Sequence, residues 1–138
     1  MSEKKNYHFR DVPKKIPCPS EEEEQITLFN WARMQEHKHP ELKWMHAIPN
    51  GGQRSKPEAA RMKAGGVKPG VSDIFLPAAR GKYHGLYIEL KKLRGGRASD
   101  EQIDFIADML KEGYYAAVKR GWQEASKLIL DYLEGRLP

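Results

Sequence analysis

The stretch GLYIELKK, residues 85–92, decides how the chain is read. Side chains along a strand alternate between its two faces. Leu86, Ile88 and Leu90 therefore point one way, and Tyr87, Glu89 and Lys91 point the other. The first set suits a buried core. The second places a carboxylate and an ammonium one strand period apart, where apolar side chains would be easier to bury. An exposed pair of this kind contributes about 0 to 1 kcal/mol. Taken alone, the pattern is equally that of a solvated strand face.

Immediately upstream, VSDIFLPA reads as another strand, and ARGKYHG as a short polar connection between the two. A short connection argues for an antiparallel hairpin. Asp73 opens the earlier strand, just ahead of Ile-Phe-Leu, so hairpin pairing brings it toward Glu89. An aspartate in front of a strand is also a common turn residue. Two converging carboxylates disfavour joint ionisation unless a cation sits between them. Their oxygens suit Mg²⁺, which takes one or two carboxylates together with waters and a phosphate oxygen. Lys91 beside such an ion can hold or deprotonate an attacking water, or neutralise the phosphate. In outline this is a site for metal-dependent phosphodiester hydrolysis.

The rest of the chain frames that hairpin. Residues 1–19 are polar and contain the Pro-rich run DVPKKIPCP without periodicity, which predicts an extended or disordered arm. Residues 20–138 have the size of one domain. Ser20 with Glu23, Ser55 with Glu58, and Ser99 with Gln102 have the spacing of capping boxes, so helices are expected after each serine. Leu28, Trp31, Ala32 and Gln35 repeat at helical spacing in the first helix, which should end before HKHPE. LKWMHAIP predicts a strand with Trp44, His46 and Ile48 on one side, followed by a turn at NGGQ. Gly65 and Gly66 stop the short helix KPEAARMKA. Ile103, Ile106, Ala107 and Leu110 line the third helix, and Gly113 ends it. YYAAVKR is a further strand. A last helix from Trp122 carries Ala125, Leu128, Ile129, Tyr132 and Leu133 on one face. The order α-β-α-β-β-α-β-α implies an α/β domain, a small mixed β-sheet flanked by helices.

Composition narrows the chemistry. Cys18 is the only cysteine among 138 residues, which excludes a disulfide framework. Together with the five histidines it fits no zinc spacing. His46 reads as a core-edge residue rather than a ligand. There is no apolar run of membrane-spanning length and no apolar leader near Met1, which predicts a soluble intracellular protein with no membrane partner. The formal charge of +5 and a pI near 9.3 suit a polyanionic partner, though only weakly. Two Gly-rich basic segments, NGGQRSK and KKLRGGRA, let main-chain N–H groups and cations approach phosphates. The candidate contacts are Asn50, Gln53, Arg54, Lys56, Lys92, Arg94 and Arg97, with Arg61 and Lys63 on the short helix extending the track. The same residues fit plain solvated loops. No basic strip interleaved with aromatics appears, so base stacking on single strands is not indicated.

Taken together, GVKPGVSDIFLPAARGKYHGLYIELKK (residues 66–92) resembles the core of the PD-(D/E)xK nucleases, in which an Asp and then an acid-x-Lys on the next strand form the site. With EEEEQITLFNWA, AIPNGG, EAARMKAGG and ASDEQIDFIADMLKEGYYAAV, the chain more closely resembles the virus-type replication-repair nuclease domain, VRR-NUC, over about residues 20–133. The resemblance implies a restriction-endonuclease-like α/β core. It implies Asp73 and Glu89 as ligands of Mg²⁺ or Mn²⁺, the Leu90 carbonyl as a further ligand, and Lys91 as the catalytic lysine. It implies one more acid from the first helix, with Glu21 preferred and Glu24 second, although acids in a first turn also suit the helix dipole without any function. Gln102 matches a glutamine common on the helix after the lysine strand, and it serves equally well as a capping residue. Ser72 stands where the family name has a proline. The implied activity is a metal-dependent endodeoxyribonuclease on branched DNA such as Holliday junctions, often homodimeric, working in the cytoplasm of a bacterial or phage-infected cell without a small-molecule cofactor. Two other readings stay open: a non-catalytic DNA-binding module on a nuclease fold, and a sequence-specific restriction-type nuclease.

Overall fold

A computed structural model describes residues 17–49 and 54–138. The expected arm, apart from Pro17, Cys18 and Pro19, and the candidates Asn50 and Gln53 lie outside the described residues. Four helices and four strands follow in the anticipated order. They are α1 (Glu21–Gln35), β1 (His46–Ala47), α2 (Lys56–Ala64), β2 (Ile74–Leu76), β3 (Leu86–Lys91), α3 (Asp100–Lys111), β4 (Tyr115–Arg120) and α4 (Gly121–Leu133). The strands form one sheet in the order β1-β2-β3-β4. The first two pairings are antiparallel and β3–β4 is parallel, joined through α3, so the sheet is mixed as expected.

The alternation in β3 sorts the domain into two sides. Ile74, Leu76, Leu86, Ile88 and Leu90 are all within 1 % of full burial. They pack with Leu28 and Ala32 of α1 and with Ala125, Leu128, Ile129 and Tyr132 of α4. Each such side chain contributes about 1.5–3 kcal/mol on leaving water. On the opposite face, Phe75 stacks on Tyr87 with centroids 4.3 Å apart, and Phe105 of α3 meets Tyr87 edge-on at 5.2 Å. No residue of α3 is buried, and Ile103 and Leu110 of its apolar stripe are exposed. α3 therefore lies lightly on the sheet, while α1 and α4 make the core.

The three serines cap their helices, each accepting from the N–H three residues on. Only Ser99 completes the reciprocal box, through Gln102. The expected first strand is corrected. Its first three residues, Leu42–Trp44, belong to a 3₁₀ turn over Pro40–Trp44, and only His46–Ala47 is strand. Pro40 fixes a turn-compatible φ, and Leu42 and Met45, three apart, enter the core while Trp44 stays exposed. Spacing of three, not two, is what buries this segment. Among the described residues, no helix is long and apolar enough to cross a membrane.

Candidate active site

The β2–β3 register pairs Ile74 with Ile88 and Phe75 with Tyr87. One step further along the same pairing, Asp73 stands across from Glu89. Main-chain bonds fix the place of Asp73: its carbonyl accepts from Ile48 N–H at 2.7 Å, which ties it to the edge strand. The approach to Asp73 is held as well. Gly70 has φ +88°, and a Cβ there would meet the Glu101 carbonyl of α3 at 2.7 Å. Only glycine permits that close passage. Ser72, next in line, is fully buried, and its hydroxyl meets no partner.

The side chains converge as the hairpin dictates. Asp73 Oδ2 accepts from the Leu90 N–H at 2.9 Å. Glu89 is 1 % exposed, and its Oε1 accepts from Gln102 Nε2 at 2.8 Å. Lys91 Nζ lies 3.3 Å from the same oxygen and 3.6 Å from Glu21 Oε1. The other oxygen, Glu89 Oε2, is buried and meets no donor among the described residues. The electrostatics follow from burial. Removal from water, and then the charge of Asp73, push the Glu89 carboxyl up to about 8, with Lys91 opposing. Burial raises Asp73 too, against the Leu90 N–H and its contact with Glu89. Without a cation the charged forms of both carboxyls are disfavoured.

Gln102 reconciles its two readings. Its Oε1 caps α3 by accepting from Ser99 N–H at 2.8 Å, and its amide nitrogen orients Glu89. The two acids of α1 part company. Glu21 sits at the site beside Lys91 and is about half exposed. Glu24 is buried, and its Oε2 accepts from Trp122 N–H at 2.7 Å, so it joins α1 to the start of α4 rather than meeting Asp73. Leu90 enters through its amide, and its side chain belongs to the core. Among the basic candidates, Lys92 follows Lys91 directly and is half-buried, while Arg94 and Arg97 are exposed on the same loop. Arg54, Lys56, Arg61 and Lys63 are exposed on and before α2. Arg120 was not singled out from sequence, where it is only the last residue of a strand. It lies level with Lys91 in the parallel ladder, and that register is the signal that could have found it.

The donor set fits a hard divalent cation: two facing carboxyls, one with an orphaned buried oxygen, and both charged forms disfavoured in its absence. Among the described residues, no group of three or more His, Cys, Asp or Glu side chains assembles. Two carboxylates are the side-chain complement, in keeping with an ion that completes its shell with carbonyl, water and phosphate oxygens.

Comparison with known proteins agrees with this geometry. Nothing among the curated proteins matches the chain. A solved structure described as a VRR_NUC domain protein superposes with a TM-score of 0.75 at 35 % identity, covering 87 % of this chain and 93 % of that one. The VRR-NUC domain family matches residues 16–123. On that match, the chain belongs to the VRR-NUC family, a nuclease domain of the PD-(D/E)xK type.

Proposed function

We propose that this domain is a Mg²⁺- or Mn²⁺-dependent endodeoxyribonuclease that cuts branched DNA in the manner of a Holliday-junction resolvase. The observation that carries the reading is the Glu89 carboxyl. It is buried against Asp73 with one oxygen unpartnered, a costly arrangement for a structural residue and a suitable one for a metal ligand. Asp73 and Glu89 would hold the ion, with the Leu90 carbonyl and Glu21 as further candidates. When bound, such an ion neutralises charge on the phosphoryl group and lowers the pKa of a water.

The chain's own residues do the rest. Gln102 fixes Glu89 by one oxygen and leaves the other without a donor among the described residues. The Leu90 N–H fixes Asp73 by Oδ2. Lys91, between Glu21 and Glu89, presents its ammonium to the phosphate, where it offsets developing charge or orients the attacking water. The water oxygen bonds to phosphorus and gives up a proton to solvent, the opposite P–O bond breaks, and the leaving oxygen gains a proton from solvent.

Two symmetric cuts across a four-way junction need two sites, so the reading includes a homodimer with C2 symmetry. Arg54, Lys56, Arg61, Lys63, Lys92, Arg94 and Arg97, together with Asn50 and Gln53, would follow the DNA backbone. The setting is the cytoplasm of a bacterial or phage-infected cell.

The test is cleavage of labelled four-way junction, flap, duplex and single-stranded DNA with Mg²⁺ or Mn²⁺, wild type beside Glu89→Gln. Metal-dependent cutting of branched DNA is expected, lost by at least about 10³-fold in the variant while binding persists. Tight binding without cleavage in any divalent metal would turn the reading to a binding module. Cleavage confined to one short sequence in plain duplex would turn it to a restriction-type nuclease.

A further inference from the structure

The loop after β3 is held by a side chain from the neighbouring strand. Arg120, the last residue of β4, sends its guanidinium under that loop. Nη1 donates to the carbonyls of Lys92 at 3.0 Å and Gly95 at 2.8 Å, and Nη2 donates to the carbonyl of Gly96 at 2.7 Å. Three main-chain acceptors thus converge on one planar fork. Gly95 and Gly96 are both left-handed, at φ +74° and +63°, a conformation that lets two successive carbonyls turn inward together. Among the described residues, no acceptor is found for the N–H groups of Gly95 and Gly96, and both glycines are exposed. The loop passes the catalytic group closely: a Cβ on Gly96 would lie 3.6 Å from Glu21 Oε1.

The geometry points to Arg120 as a positioning residue for DNA. By binding the loop's carbonyls it draws their negative ends away from the DNA and leaves the N–H ends and the side chains of Lys92, Arg94 and Arg97 toward a backbone phosphate beside the scissile one. Arg120 itself touches no phosphate. It neutralises and pins a segment of main chain that would otherwise present oxygens as readily as nitrogens. A lysine cannot replace it, because a single ammonium lacks the flat fork that reaches three carbonyls at once. The inference rests on the nuclease reading for the identity of the ligand.

The experiment uses the full chain and a labelled four-way junction with Ca²⁺ in place of the catalytic metal, so that binding is read apart from cleavage. Arg120→Lys keeps the charge and removes the fork. Gly95→Ala with Gly96→Ala keeps Arg120 and forbids the loop conformation. Both should weaken binding about tenfold at ~0.1 M salt, and flatten the dependence of log Kd on log salt by about one for each phosphate lost. In Mg²⁺ both should raise KM by a like factor and leave kcat within about threefold. Lys127→Gln, an exposed charge removed from α4, should match wild type. A merely structural role would lower the melting temperature and leave the salt slope of the folded protein untouched, which would overturn the inference. So would an Arg120→Lys protein that binds as wild type does. If wild type binds the junction but never cuts it, the nuclease reading falls while the binding comparison still decides Arg120. If wild type cuts and the variants bind normally, Arg120 falls alone. Failure of wild type to bind any DNA overturns both.

Discussion

Glu89 is the residue at which folding and chemistry disagree. Its carboxyl is pushed from an ordinary 4.5 up to about 8 by burial and by Asp73. Between those values the metal-free folded chain keeps a proton that the unfolded chain has lost. The folded state binds more protons there, so stability falls as pH rises through the window. We expect the melting temperature of the metal-free protein to drop between about pH 5 and pH 8, more steeply in wild type than in Glu89→Gln, whose amide does not titrate. Adding Mg²⁺ should restore wild type and leave the variant unchanged. Parallel pH profiles for the two proteins would show that Glu89 does not hold that proton. The variant that abolishes cutting is thus expected to be the sturdier protein at alkaline pH, as befits a site kept under electrostatic stress.

At the scale of the element, helix α1 asks which of its acids belongs to the site. Glu21 and Glu24 both lie in the acidic first turn. Their fates depend on partners far along the chain: Lys91 for one and Trp122 N–H for the other. Glu24→Ala should cost about 1–3 kcal/mol, since it strands a main-chain donor at the start of α4, and leave kcat within a few-fold. Glu21→Ala should do the reverse, changing stability by under about 1 kcal/mol and lowering cleavage about tenfold or more. Denaturant melts and single-turnover rates on the two variants decide the assignment.

The same contrast marks what was legible in advance. The period of β3, the three serine caps and the apolar stripe of α4 are local signals, and they placed every helix and the central hairpin. The pairing of Asp73 with Glu89 needed only one short connection to be read as a turn. Glu24, Arg120 and the second contact of Gln102 are matters of tertiary distance, and no local pattern announces them. The 3₁₀ turn at Pro40–Trp44 was missed for a different reason. Its apolar residues fit an alternating pattern nearly as well as a threefold one, and Pro40 stands just ahead of the expected strand, outside that pattern.

Across the whole molecule, the sheet divides labour between its faces. Core residues Leu86, Ile88 and Leu90 hold α1 and α4, and the intervening Glu89 and Lys91 face the proposed site. Ile88→Ala should therefore cost about 2–5 kcal/mol, while the fraction that stays folded cuts at nearly the wild-type rate. Lys91→Met should cost about 1 kcal/mol or less, because Glu89 simply retains its proton, yet abolish measurable cutting. Melting curves paired with rates normalised to folded protein test the separation. A Lys91→Met protein that unfolds as readily as Ile88→Ala would mean that the two faces are energetically one.

The antiparallel hairpin gives this arrangement a parity. Asp73 and Glu89 meet because each is an odd step from the isoleucines that face the core, Ile74 and Ile88. A change of length in the connection at 77–85 leaves that match undisturbed where Ala78, Arg80 and Gly85 keep their contacts. A single residue gained inside β2 or β3 exchanges the two sides, sending acids toward the core and isoleucines toward the DNA. Across the family, then, drift in length belongs in the loop between the two motif strands, and frame-like errors within them are the ones selection should erase.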